Sequence, residues 1–122
     1  MSPHQMVCHL SDSFKAAMGE KYVSPGGTIM HRTLMKWVAL RVPLKWPKGF
    51  KTRPEMDQEG GGTRPAEFVS DVNELRMIMD RFSSAERDFR WAPHPVFGPM
   101  SEAEWQRWGY LHVDHHLRQF GL

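Results

Sequence analysis

Residues 101–122 (SEAEWQRWGYLHVDHHLRQFGL) constrain the fold most, because both ends of a helix are marked in this stretch. Ser101 is a favourable N-cap, and Glu104 follows three residues later, where a capping box requires it. Gly121 stands just past the last turn, where a left-handed C-terminal cap is expected. The pattern predicts one amphipathic helix that begins after Ser101 and ends before Gly121.

Two histidines, His112 and His116, are one turn apart in this helix. Residues at this spacing share a face, with about 5–6 Å between their Cβ atoms. Trp105 and Trp108 fall on the same face, so the pair lies in an aromatic stripe. Histidines in such a stripe are either hydrogen-bonded core residues or metal ligands, and the spacing alone favours neither interpretation.

The rest of the chain predicts further helices and two irregular connections. A first helix follows Ser2 and Pro3 and runs to about Lys21, because a serine N-cap with proline next to it is a typical helix start. The apolar periodicity predicts two more helices, over 28–41 and 65–83, and irregular structure over 43–64 and 88–99. The second helix is expected to bury Ile29, Leu34, Trp37, Val38 and Leu40. The chain is therefore predicted to be all-α.

Composition limits the class of protein. The 122 residues predict a single domain, 1–122, and one cysteine, Cys8, excludes an internal disulfide and is typical of the cytoplasm. No stretch reaches the roughly 20 apolar residues of a membrane span. A net charge of +2 is too small to predict nucleic-acid binding. A basic segment with interleaved aromatic residues leaves that function as a weak alternative to a solvated loop; it comprises Lys45, Trp46, Lys48, Phe50, Lys51 and Arg53.

The histidines are the remaining candidates for a functional site. The chain has no P-loop, no dinucleotide-binding glycine motif and no nucleophile elbow. Val113 follows His112, so the glutamate of the HExxH metalloproteases is absent. Three nitrogen ligands and a vacant position are typical of a catalytic divalent-metal site, and His9 is the best-placed third ligand. The candidates to support the ligands are Gln5, Asp12 and Gln119, and those for acid or base are Asp12, Asp57, Glu59 and His94.

The segments CHLSDSF, around His9, and HVDHHLRQF, from His112, resemble the DinB-like superfamily, also called the YfiT-like metal-dependent hydrolases. More narrowly, three segments resemble one branch of it: HPVFGPM at 94–100, EW at 104–105 and HVDHHLRQFG at 112–121. The resemblance covers nearly the whole chain.

The resemblance implies an up-down helix bundle with one divalent metal ion held by His9, His112 and His116. It implies that the neighbouring His115 is not a ligand, and it does not distinguish zinc, nickel, iron and manganese. Characterised members include thiol S-transferases and isomerases in which the metal activates a low-molecular-weight thiol. The expected function is a metal-dependent thiol S-transferase or hydrolase. The alternative is a non-catalytic bundle that binds a small molecule or a protein partner.

The chain departs from the superfamily pattern at its start. The superfamily's bundle begins with a helix before the one that carries His9, and these 122 residues do not include it. The expected architecture is therefore a bundle with three long helices and an open face. An open apolar face needs a partner, so the sequence predicts a homodimer.

Overall fold

The computed structural model describes residues 1–46 and 52–122, and these form two compact units. The first unit contains residues 1–23 and 52–92, and the second contains the described residues of 24–46 and 93–122. The regular structure of the described residues is helical, which confirms the predicted all-α class. None of the described helices is long and apolar enough to cross a membrane.

The first unit is built on two helices of similar length, α1 (Pro3–Ala17) and α3 (Phe68–Ser83), which pack against each other. The predicted start of α1 is confirmed: Ser2 caps the helix and forms a capping box with Gln5. The predicted end at about Lys21 is wrong, because the helix ends at Ala17 and a turn with left-handed Gly19 follows.

Helix α3 begins three residues later than predicted. Glu67 rather than Pro65 marks its start, because the Glu67 carboxylate accepts hydrogen bonds from the backbone N–H groups of Val69 and Ser70. In the described residues that lead into α3, Pro54–Met56 form a short 3₁₀ turn, which contacts α1. The predicted irregular connection is otherwise confirmed for its described residues.

Aromatic and aliphatic side chains fill the core of the first unit. Phe14 of α1 meets Phe82 of α3 edge to face, with ring centroids 4.6 Å apart, and Phe82 in turn contacts Trp91. Leu10 and Ile78 are also buried. Such pairs add about 0.5–1.5 kcal/mol beyond the area that they bury, so these contacts anchor α1 to α3.

The second unit pairs a short helix, α2 (Lys36–Arg41), with the long C-terminal helix α4 (Glu102–Arg118). A π-helical segment, His31–Met35, leads into α2. Arg107 Nε of α4 donates to the Leu40 carbonyl at 3.1 Å, and Lys36 Nζ lies 3.5 Å from Glu104 Oε2. The predicted caps of α4 are confirmed, since Ser101 and Glu104 form the capping box and Gly121 has φ 76°.

The predicted buried side of the second helix is wrong in most positions. Of its five residues only Leu40 is buried, at 3% exposure, whereas Ile29, Leu34 and Trp37 are exposed. The π-helical segment interrupts the predicted face, because its i→i+5 hydrogen bonds change the angular spacing of the side chains. A face counted at 3.6 residues per turn therefore does not continue through it.

Candidate functional site

Helix α4 places the two predicted ligands of the second unit side by side. The rings of His112 and His116 have centroids 4.8 Å apart at an interplanar angle of 63°. His116 is buried at 7% exposure, and His112 is partly buried with its ring 4.8 Å from the ring of Trp108. The helical spacing predicted this adjacency, and the aromatic stripe forms as expected.

Gln119 orients His116. The amide oxygen Oε1 of Gln119 lies 3.3 Å from His116 Nδ1, and its amide nitrogen lies 3.2 Å from His115 Nε2. With this amide orientation, His116 carries its hydrogen on Nδ1 and its lone pair on Nε2, whereas the Nε2 lone pair of His115 accepts a hydrogen bond. The contact predicted between Gln119 and one of the predicted ligand histidines is present. The Gln119 amide therefore accepts a hydrogen bond from His116 and donates one to His115.

His9 lies in the first unit, on the buried side of α1, at 3% exposure. Its Nδ1 is 3.0 Å from the carbonyl oxygen of Met56 in the 3₁₀ turn. A carbonyl oxygen only accepts hydrogen bonds, so Nδ1 carries the hydrogen and Nε2 carries the lone pair. Metal-ligating histidines commonly donate their second ring nitrogen to a backbone carbonyl or carboxylate in this way.

The described residues thus include histidines that could hold a metal ion, namely His112 and His116 in one unit and His9 in the other. The donor set fits a borderline divalent ion, because each member is an imidazole. For His9 and His116 the hydrogen bond at Nδ1 leaves the Nε2 lone pair available to a metal ion.

The other two residues predicted to support the ligands have different partners. Asp12 is buried at 1% exposure, and its oxygens accept from the Thr63 backbone N–H at 2.8 Å, the Thr63 hydroxyl at 2.7 Å and Gln58 Nε2 at 3.1 Å. Lys21 Nζ lies 3.4 Å from the same carboxylate. Gln5 accepts from the Ser2 backbone N–H and completes the cap of α1.

The remaining acid or base candidates differ in exposure. Asp57 accepts a hydrogen bond from the Glu59 backbone N–H in a turn, and Glu59 is exposed. His94 instead lies among aromatic rings of the second unit, stacked on Phe97 with centroids 4.5 Å apart. Burial lowers the pKa of His94 to about 4. His94 is therefore neutral near pH 7 and serves as a hydrogen-bond acceptor, not as a cation.

A surface cleft of about 460 Å³ opens beside His115 in the second unit. Trp46, Tyr110 and Leu111 contribute apolar surface to it, and Arg107 and Arg118 contribute positive charge. Of the predicted basic segment, Lys45 and Trp46 line this cleft, whereas Lys48, Phe50 and Lys51 lie outside the described residues. A cleft of this size can hold a small organic molecule.

The model of the family described as "Protein of unknown function (DUF1569)" matches residues 2–121, nearly the whole chain. The protein belongs to the DUF1569 family. No curated protein and no solved structure matches the chain. The DUF1569 match spans both units, so it includes all three histidines predicted to bind metal.

Sequence reasoning missed two features around these residues. The first is the Met56 carbonyl that orients His9; a backbone group has no signature in the sequence, so no pattern could have identified it. The second is a group of three possible ligands in the first unit, His4, Cys8 and Asp71. His4 and Cys8 have the same i, i+4 spacing as His112 and His116, and that spacing was a usable signal.

Proposed function

We propose that this DUF1569 protein is a DinB-like metal-binding protein in which His9, His112 and His116 hold one divalent ion. The observation that carries the proposal is the adjacency of the His112 and His116 rings, with His116 oriented by Gln119. The hydrogen bond of His9 Nδ1 to the Met56 carbonyl supports the third ligand, because it directs the lone pair to Nε2.

The proposed chemistry is that of a thiol S-transferase or a hydrolase. A divalent ion with three imidazole ligands and an open position supplies a Lewis acid that makes a bound thiol or water more acidic. The chain's own residues would orient the ligands and restrict water: Gln119 and the Met56 carbonyl hold two imidazoles, and the Trp108 ring covers one face of His112.

The cleft of the second unit is the proposed binding place for the organic part of the substrate. Its aromatic and leucine side chains suit an apolar group, and Arg107 suits a carboxylate, as in low-molecular-weight thiols that carry acidic groups. The Asp114 carboxylate, 2.7 Å from Arg118, offsets the charge of that residue, whereas Arg107 donates to the uncharged Leu40 carbonyl, so we assign the anion contact to Arg107.

Metal analysis of the purified protein tests the ligand set. After reconstitution with zinc, nickel, iron or manganese in turn, His9→Ala, His112→Ala and His116→Ala should each lose about one equivalent of metal per chain relative to wild type. His115→Ala is the matched control, because it removes a neighbouring imidazole on the same helix and should keep the full metal content. Equal metal content in all four variants would exclude the proposed ligands.

Activity measurements separate the enzyme from the alternative, a non-catalytic binding protein. The metal-loaded protein is mixed with a low-molecular-weight thiol and an electrophile, and thiol consumption is followed against the His116→Ala variant. Metal-dependent consumption supports the transferase, and metal-dependent cleavage of ester or amide substrates supports the hydrolase. Full metal content without turnover of either kind would favour the binding protein.

The homodimer stays a prediction, and the second unit offers a surface for it. Four apolar side chains of the segment 29–37 are more than half exposed: Ile29, Met30, Leu34 and Trp37. We propose that they contribute to self-association. Light scattering should give twice the chain mass, and Trp37→Glu should shift the protein to the monomer.

A further inference from the structure

Three chemically different side chains that can bind metal meet in the first unit, and none of them is His9, His112 or His116. His4 and Cys8 lie one turn apart on α1, and Asp71 lies in the first turn of α3. His4 Nε2 is 2.6 Å from Asp71 Oδ2, and Cys8 Sγ is 3.8 Å from the same oxygen. All three ligand atoms lie within 4.8 Å of one another.

We propose that His4, Cys8 and Asp71 form a second divalent-metal site, suited to zinc. An imidazole nitrogen, a thiolate sulfur and a carboxylate oxygen are the three donor types that zinc accepts in proteins. The mixed set disfavours magnesium and calcium, which prefer oxygen ligands alone. Because none of the three residues belongs to the proposed three-histidine site, the two proposals can fail independently.

The distances between the ligand atoms suit this interpretation. Zinc–ligand distances of 2.0–2.3 Å in a tetrahedron place the ligand atoms about 3.3–3.6 Å from each other. The Cys8–Asp71 distance of 3.8 Å is close to this range. The His4–Asp71 distance of 2.6 Å is that of a hydrogen bond, so zinc would replace the shared proton and the imidazole would move outwards by about 0.7 Å.

Exposure allows both that movement and the entry of an ion. The side chains of His4 and Asp71 are 24% and 17% exposed, whereas Cys8 is buried at 2% exposure. An ion can therefore approach from the His4–Asp71 side and reach the sulfur behind them, and water can take the fourth position. The Asp71 carboxylate also accepts a hydrogen bond from the Ala66 backbone N–H at 3.1 Å, which holds it in place.

Bound zinc would link α1 to α3. The same three groups also form a hydrogen-bonded set without metal, in which Asp71 accepts from His4 and from the Cys8 thiol. That set by itself would stabilise the helix pair, so a stability measurement on a His4 variant does not separate the two interpretations. A signal that is specific to a metal–sulfur bond separates the metal site from the hydrogen-bonded set.

Titration of the reduced full-length protein with Cd²⁺ provides that signal, because a thiolate bound to Cd²⁺ absorbs in the ultraviolet by charge transfer. Cys8 is the only cysteine of the chain, so any such band reports this site. We expect a saturable band at about one equivalent, bleached by competing Zn²⁺. Cys8→Ser should abolish it, and His4→Ala and Asp71→Asn should each weaken Cd²⁺ binding by at least about tenfold.

Three controls make the result specific. Asp80→Asn removes an exposed carboxylate from the same helix as Asp71 and should leave the titration unchanged. His112→Ala should also leave the band unchanged, even where it removes metal from the three-histidine site. Circular dichroism establishes that each variant is folded, and if Cys8→Ser does not fold, the partly exposed His4→Ala still gives the test.

Two results would overturn the proposal. One is the absence of a charge-transfer band in the folded, reduced wild type at saturating Cd²⁺. The other is a band whose Cd²⁺ affinity is unchanged in both His4→Ala and Asp71→Asn, since the sulfur would then bind the ion without the proposed partners. Neither result would bear on the metal content contributed by His112 and His116.

Discussion

Asp12 in the first unit is buried and His94 in the second is partly buried, and different groups surround them. The Asp12 carboxylate accepts three hydrogen bonds, two from Thr63 and one from Gln58, with the ammonium group of Lys21 nearby. The His94 ring stacks on Phe97 and lies 5.7 Å from the Trp105 ring. Its Nδ1 accepts two backbone hydrogen bonds, from Val96 and Phe97.

The difference follows from the chemistry of the two groups. A carboxylate keeps its charge when several donors surround it, so burial of Asp12 requires a complete set of hydrogen bonds. An imidazole can lose its proton instead, so aromatic surroundings are compatible with a neutral His94. Hydrogen bonds in the first unit therefore stabilise the Asp12 carboxylate, whereas in the second unit burial favours the neutral form of the His94 ring.

Replacing Asp12 should have the largest effect on stability. Asp12→Ala leaves the Thr63 and Gln58 donors without their acceptor, and we expect a loss of about 3–5 kcal/mol in the free energy of unfolding. Urea denaturation measures it, with the exposed Asp80→Ala as a control that should change stability by less than about 0.5 kcal/mol. If Asp12→Ala lowers the free energy of unfolding no more than the control does, the hydrogen bonds to Asp12 contribute little to stability.

Two leucines of the second unit test the effect of the π-helical segment. Leu40 is buried and Leu34 is exposed, although the helical period of the sequence predicted both to be buried. Leu40→Ala should cost about 2–5 kcal/mol, and Leu34→Ala less than about 0.5 kcal/mol. Equal costs in denaturation experiments would support the uninterrupted helical face over the observed one.

His94 should make the second unit sensitive to acid. Its pKa falls from 6.5 to about 4 in the folded protein because burial disfavours the charged ring. Between these values the unfolded chain binds more protons than the folded chain, so stability decreases as the pH falls through this window and levels off below it. The total loss is at most about 3 kcal/mol.

The measurement compares wild type with His94→Asn, whose side-chain oxygen can also accept from the backbone but does not titrate. The difference between their free energies of unfolding should change between about pH 7 and about pH 4. NMR should show a neutral His94 ring over most of that range. A ring that titrates near its ordinary pKa, with a constant free-energy difference, would contradict the burial of His94 among aromatic rings.

The two capping boxes should give the smallest effects. Ser2 caps α1 of the first unit and Ser101 caps α4 of the second, and in both the third helical residue completes the box. Ser2→Ala and Ser101→Ala should each cost about 1 kcal/mol, because each leaves a backbone N–H without its side-chain acceptor. Serine-to-threonine variants at the same positions should retain most of the stability, measured by thermal unfolding.

The features that the sequence predicted correctly are local ones. The Ser101–Glu104 capping box, left-handed Gly121 and the adjacency of His112 and His116 depend on residues at most four positions apart or on the helix end itself. Their geometry follows from the period of the helix and from the hydrogen-bonding capacity of a few side chains. No knowledge of the rest of the fold is needed for them.

The tertiary structure decided every contact that joins distant parts of the chain. The Met56 carbonyl meets His9 across 47 positions, and Asp71 meets His4 across 67. The path of the intervening connections determines such contacts, and residues 43–64 have no periodicity from which that path could be predicted. The sequence alone thus determined the helix type, the caps and the histidine pair. The partners that orient His9, and the meeting of His4 and Cys8 with Asp71, required the folded chain.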